Sequence, residues 1–140
     1  MQNSQLANLL QQTGLFSADQ VEKLLNELAG GADFTATVVE QTGVREDLFL
    51  EKLAEAMDLP FLRLKNVEIA QEVLEKVPPK AVFQYNIMPV AVENGVLRIA
   101  TANPLQTGLI DALRLVTGGR IKFALSPTDD IQLSAKQLYG

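Results

Sequence analysis

A repeat constrains this sequence more than any other feature. Residues 4–28 align with residues 33–57 without a gap, at an offset of 29. The pairs Ala7/Ala36, Gln12/Gln41, Thr13/Thr42, Gly14/Gly43, Glu22/Glu51, Lys23/Lys52 and Leu24/Leu53 are identical. Val21, Leu24, Leu25 and Leu28 stand at i, i+3, i+4 and i+7, and Leu50, Leu53, Ala54 and Met57 repeat that stripe. An apolar stripe of this period buries one face of a helix, and two copies of one unit can close their stripes on each other. Ser17 with Gln20 reads as a capping box, and Gly30-Gly31 as a helix end. A shorter apolar segment precedes each stripe, Leu6, Leu9 and Leu10 in one copy and Val38 and Val39 in the other. Each unit is therefore expected to be a short helix, a Gln-Thr-Gly turn and a longer helix.

The pattern changes at Leu59. Pro60 to Leu64 reads as a short strand, Ala70 to Val77 as a helix closed by Pro78-Pro79, and Pro79 to Tyr85 as a further helical turn. Ile87 to Glu93 and Val96 to Ala102 flank Asn94-Gly95, a strong hairpin signal. Leu109, Leu113 and Val116 stripe a helix ending at Gly118-Gly119, and Ile121 to Leu125 is another strand. Thr128 is placed to cap a last helix with Ile131, Ala135 and Leu138 facing inward. The expected fold class is α+β. A tandem helix-turn-helix repeat, all-α, fills residues 1–58, and a small mixed-sheet α/β subdomain of order β-α-β-β-α-β-α, with helices on one face, fills residues 59–140.

Composition removes most familiar chemistry. The 140 residues include no Cys, His or Trp. This excludes a thiolate nucleophile, an imidazole base, a disulfide and a conventional zinc site. The phosphate-cradling G-x-x-x-x-G-K-[S/T] pattern is absent, and no Ser-x-x-Lys spacing occurs. Asp129-Asp130 and Glu46-Asp47 stand at helix starts, where they complement the helix dipole, so no metal site is expected. A net charge of −5 opposes binding along a phosphate backbone. The second helix of each repeat carries acids such as Asp19, Glu22, Asp47 and Glu51, which argues against a DNA-recognition helix and any nucleic-acid partner. No apolar run approaches the ~18 residues of a membrane span, and Met1-Gln2-Asn3 lacks the basic start of a signal peptide. The chain is expected to be cytoplasmic, with no direct membrane insertion and no enzyme activity of its own.

Two features remain as candidate sites. The Thr-Gly turns could bring helix ends and backbone N–H groups to an anionic ligand, or Gly14 and Gly43 could simply permit positive φ. Phe16, Phe34 and Phe49 are candidate anchors for a protein partner, with core membership the competing role, above all for Phe49.

The run from Leu53 to Tyr139 resembles the amino-terminal domain of type II secretion and type IV pilus assembly ATPases. The resemblance rests on Leu53-Ala54-Glu55-Ala56, Leu59-Pro60-Phe61, Val77-Pro78, Met88-Pro89-Val90 and Asn94-Gly95-Val96-Leu97. It continues through Ala100-Thr101-Ala102-Asn103-Pro104, Thr117-Gly118, Ser126-Pro127 and Asp130-Ile131. The resemblance implies a non-catalytic docking or regulatory domain. Its partners would be the cytoplasmic domain of an inner-membrane platform protein and the protein's own ATPase domain. ATP and Mg would belong to that ATPase domain, leaving no cofactor in this chain, and localisation would be cytoplasmic, peripheral to the inner membrane through partners.

One branch of the family binds cyclic di-GMP through two copies of a motif resembling R-L-G-x-x-L-x-x-x-G, followed by leucines at helical spacing. Carried across by residue, the later motif glycine is Gly14 and Gly43, and the leucines correspond to Val21 and Leu25, then Leu50 and Ala54. The opening triplet is replaced by Gln5-Leu6-Ala7 and by Phe34-Thr35-Ala36. Loss of both arginines removes the charge-assisted donors to guanine and phosphate. Docking is therefore the first reading, and a cyclic di-GMP sensor the alternative.

Overall fold

Four helices occupy the repeat in the computed structural model, which describes residues 2–140: α1 (Asn3–Gln12), α2 (Ala18–Leu28), α3 (Phe34–Thr42) and α4 (Glu46–Met57). The expected capping box starts α2, where the Gln20 N–H donates to Ser17 Oγ at 3.2 Å and the Ser17 N–H donates to Gln20 Oε1 at 2.8 Å. Asp33 caps α3 by accepting the Ala36 N–H at 2.9 Å. The predicted stripes face inward: Val21, Leu24, Leu50, Leu53 and Ala54 are buried, with Leu10 and Val38 from the shorter helices. α1 packs on α2 and α4, α2 on α3, and α3 on α4. The Phe49 ring is fully buried, 6.0 Å from the Phe16 ring and 5.8 Å from the Phe34 ring, both tilted. Tilted aromatic pairs at this distance add to the area they bury.

The chain divides after Leu59, and the second unit runs from Pro60 to Gly140. It contains α5 (Gln71–Leu74), α6 (Pro79–Tyr85), β1 (Ile87–Glu93), β2 (Val96–Thr101), α7 (Leu109–Thr117), β3 (Arg120–Leu125) and α8 (Thr128–Tyr139). The sheet order is β1-β2-β3. β1 and β2 form the predicted antiparallel hairpin, and β2 and β3 are parallel across the α7 crossover. Asn94 and Gly95 both take positive φ, 51° and 77°, as a two-residue hairpin turn requires. A register shift between Pro89 and Ala91 bulges β1, an edge strand where the missing Pro89 N–H is tolerated.

Several expectations need correction. Pro60–Leu64 is not a strand. Only Phe61 bridges Leu125, through Leu125 N–H to Pro60 O and Leu62 N–H to Leu125 O, both 2.9 Å. The chain then leaves the sheet because the Leu64 N–H is taken by Asp130, and a 3-10 turn follows at Leu64–Asn66. The helix expected over Ala70–Val77 is one turn, tightened where the Lys76 N–H bonds Val73 O and stopped because Pro78 disfavours helical geometry at Val77. The sheet is not covered on one face alone. Ile87–Val90, Ile99–Thr101 and Phe123–Leu125 are consecutively buried, and neighbouring strand residues point to opposite faces, so that end of the sheet is covered on both. Pro127, not Thr128, is the N-cap of α8. Val116 and Leu138 face solvent although Leu109, Leu113, Ile131 and Ala135 on the same stripes are buried. Both exceptions lie in the final turn of their helix, past the core the stripe covers.

Candidate functional site

The Thr-Gly turns are built alike in both repeats. Thr13 Oγ1 donates to Leu10 O at 2.6 Å and accepts the Leu15 N–H at 3.4 Å. Thr42 Oγ1 donates to Val38 O at 2.7 Å and accepts the Val44 N–H at 3.2 Å. Gly14 and Gly43 follow with φ of 72° and 73°. The Thr13 hydroxyl thus satisfies a carbonyl among the last four of α1, the Thr42 hydroxyl bonds back one turn within α3, and each orients the first residues after the glycine.

The motif positions around these turns separate into two environments. In the first copy Gln5 and Gly14 are exposed, Leu6, Ala7 and Leu25 are half-buried, and Val21 is buried. In the second copy Phe34, Thr35, Leu50 and Ala54 are buried, while Ala36 and Gly43 are exposed. The two opening positions are therefore not equivalent. Gln5 is spent locally, its Oε1 accepting the Gln2 N–H at 3.2 Å, and it stays exposed. Phe34 is a core residue, 5% exposed against Phe49. Phe49 is core, the role favoured for it, while the expectation of an exposed anchor at Phe34 is corrected, because Phe34 is core too; Phe16 is half-buried. The N–H groups starting α2 are partly used by the Ser17 box, and α4 opens with Glu46 and Asp47, whose charge opposes an anion there.

A second candidate was not found from the sequence. In the Pro60–Gly140 unit, Val82, Phe83 and Asn86 of the α6 segment and Asp129, Gln132, Leu133, Ala135 and Lys136 of α8 line an open groove of about 540 Å³. Phe83 and Leu133 are 53% and 57% exposed. The available signal was Leu133 itself, an apolar residue roughly opposite the Ile131/Ala135 stripe of an otherwise polar helix face. Among the described residues no group of three or more acids, Cys or His could hold a metal ion, and no helix is long and apolar enough to cross a membrane.

Comparison with known proteins agrees with this architecture. The MshEN domain family matches residues 57–140. The type IV pilus assembly ATPase PilB of Myxococcus xanthus (strain DK1622) is 22% identical over 139 residues, covering 99% of this chain and 25% of PilB. The chain thus spans about a quarter of the length of that relative. The structure of MshE with cdg (cyclic di-GMP) has a TM-score of 0.80 at 21% identity, covering 96% of this chain and 98% of that one. The N-terminal domain of XpsE has a TM-score of 0.72 at 21% identity, covering 100% and 98%. At these identities the structural likeness is one of fold. The family match extends over more than half of the chain, and with it the chain belongs to the MshEN domain family, the N-terminal domains of type II secretion and type IV pilus assembly ATPases.

Proposed function

We propose that this chain is a non-catalytic docking and regulatory domain. It couples a secretion or pilus-assembly ATPase to the cytoplasmic domain of an inner-membrane platform protein. The observation that carries this reading is the apolar groove of the second unit, where Phe83 and Leu133 are both more than half exposed. Large exposed apolar side chains that share one groove are a signature of protein contact sites. ATP and Mg are assigned to an ATPase domain rather than to these residues. The domain works on the cytoplasmic side of the membrane, held there through its partner.

A cyclic di-GMP sensor is the second reading. It is favoured by the retained Gly14 and Gly43 turns and by the likeness to MshE with cdg. Against it stand Gln5 and the buried Phe34 at the two arginine positions. Calorimetric titration of the chain with the platform protein's cytoplasmic domain, and separately with cyclic di-GMP, decides between them. Micromolar binding of the protein and none of the nucleotide is expected; the reverse result replaces docking with sensing.

A further inference from the structure

The groove carries charge at both ends. Asp129, Gln132, Leu133 and Lys136 line it from one helix, α8, at spacing i, i+3, i+4 and i+7. That spacing keeps the four side chains on one face, and seven residues rise roughly 10 Å along a helix axis. The acid therefore stands at one end and the ammonium at the other, with Leu133 between them and Phe83 contributed by α6. A groove lined on one side by such a helix matches another helix laid along it, reading the same i, i+3, i+4, i+7 ladder.

We propose that this groove receives one amphipathic helix of the platform partner. That helix places a basic residue against Asp129, apolar residues against Leu133 and Phe83, and an acidic residue against Lys136. Charge complementarity at the two ends fixes the direction in which the helix runs, and the apolar centre supplies most of the affinity. Reversing the helix would set acid against Asp129 and base against Lys136, which is how the groove selects orientation. The inference rests on the docking reading above.

The test is calorimetry of the full chain and its variants with the platform protein's cytoplasmic domain. Leu133→Asp and Phe83→Ser alter side chains that are already more than half exposed, so both variants are expected to fold as wild type does. Each is expected to weaken binding about thirtyfold or more, as truncation of a central apolar anchor does. Lys136→Glu is expected to weaken it roughly tenfold and to be rescued by charge reversal of one acidic residue on the partner helix. Leu115→Asp, at an 85% exposed position of α7 outside the groove, is expected to bind as wild type does. If wild type binds and the groove variants bind within about twofold of it, the groove assignment is overturned while docking stands. If wild type does not bind, docking fails and the groove assignment falls with it.

Discussion

Arg63 and Asp130, 67 residues apart in sequence, form a two-point ion pair: Nε to Oδ2 at 3.1 Å and Nη2 to Oδ1 at 3.0 Å. The same carboxylate accepts the Leu64 N–H at 3.0 Å, so one side chain in the first turn of α8 holds both the guanidinium and the backbone of the segment entering the unit. The Asp130 side chain is 11% exposed and that of Arg63 40%, which limits solvent screening on the acid's side. A paired acid next to Asp129 at a helix start reads in sequence as dipole complementation. Its second role depends on a partner the sequence places far away.

Asp130→Ala is expected to destabilise the Pro60–Gly140 unit by about 2–3 kcal/mol, because three charge-assisted bonds go and the Leu64 N–H loses its acceptor. Asp130→Asn keeps one acceptor and is expected to lose less. Arg63→Lys cannot reproduce the fork and falls between wild type and Asp130→Ala. Urea unfolding measures all three, and equal midpoints for wild type and Asp130→Ala would remove the ion pair from any structural role.

The Thr-Gly turns predict a contrast between near-isosteric variants. Thr42→Val retains the branched shape but loses both the bond to Val38 O and the one from the Val44 N–H. A cost of about 1–2 kcal/mol is expected, with Thr42→Ser close to wild type. Gly43→Ala tests the backbone separately. At φ 73°, with no atom within 4 Å of the added Cβ, its expected cost of about 1 kcal/mol is conformational strain alone. Thermal unfolding reads each difference, and Val and Ser variants of equal stability would show that the hydroxyl contributes nothing.

Tyr139 closes α8 onto α5 by donating its hydroxyl to Leu74 O at 2.6 Å. Burial raises its pKa from 10.0 to about 12. A raised phenol pKa means that the folded state holds its proton more tightly than the unfolded chain. The resulting stability is fully present below pH 10 and is lost as pH rises toward 12. Difference absorbance between wild type and Tyr139→Phe should show a tyrosinate step near pH 12. The variant should also lack this part of the alkaline loss of stability. A difference step near pH 10 would place the hydroxyl in free solvent.

What the sequence displays well is periodic and local. The Ser17 box and the Asn94-Gly95 hairpin are spelled by residues within a few positions of one another, and the repeat by an ungapped match at one constant offset. What it hides depends on distant partners. Pro60–Leu64 has strand composition, yet Asp130 draws its backbone out of the sheet. Phe34 looks like a displaced ligand position or an exposed anchor until Phe49 is packed beside it. The groove was hidden for a related reason: Phe83 and Leu133 become neighbours only when α6 and α8 are brought side by side.

The inequality of the two opening motif positions leads to a last prediction about nucleotide binding. Gln5 is exposed, so Gln5→Arg costs the fold little and restores a cationic fork in the first copy. Adding Ala7→Gly removes the methyl at the position where the family motif has glycine. Phe34 is 5% exposed with its ring 5.8 Å from that of Phe49, so Phe34→Arg buries a charge and opens the aromatic cluster. That change is expected to cost about 3–5 kcal/mol, as removal of a large core residue does, and to leave the first unit largely unfolded. Recovery of cyclic di-GMP binding should therefore be possible in the first copy alone. Calorimetry is expected to show measurable binding by Gln5→Arg with Ala7→Gly where wild type shows none, from one charge-assisted contact of about 1.5–3 kcal/mol. Circular dichroism is expected to show Phe34→Arg losing helix. A folded Phe34→Arg that binds the nucleotide would mean that Phe34 can leave the core, and that both copies remain open to the ligand.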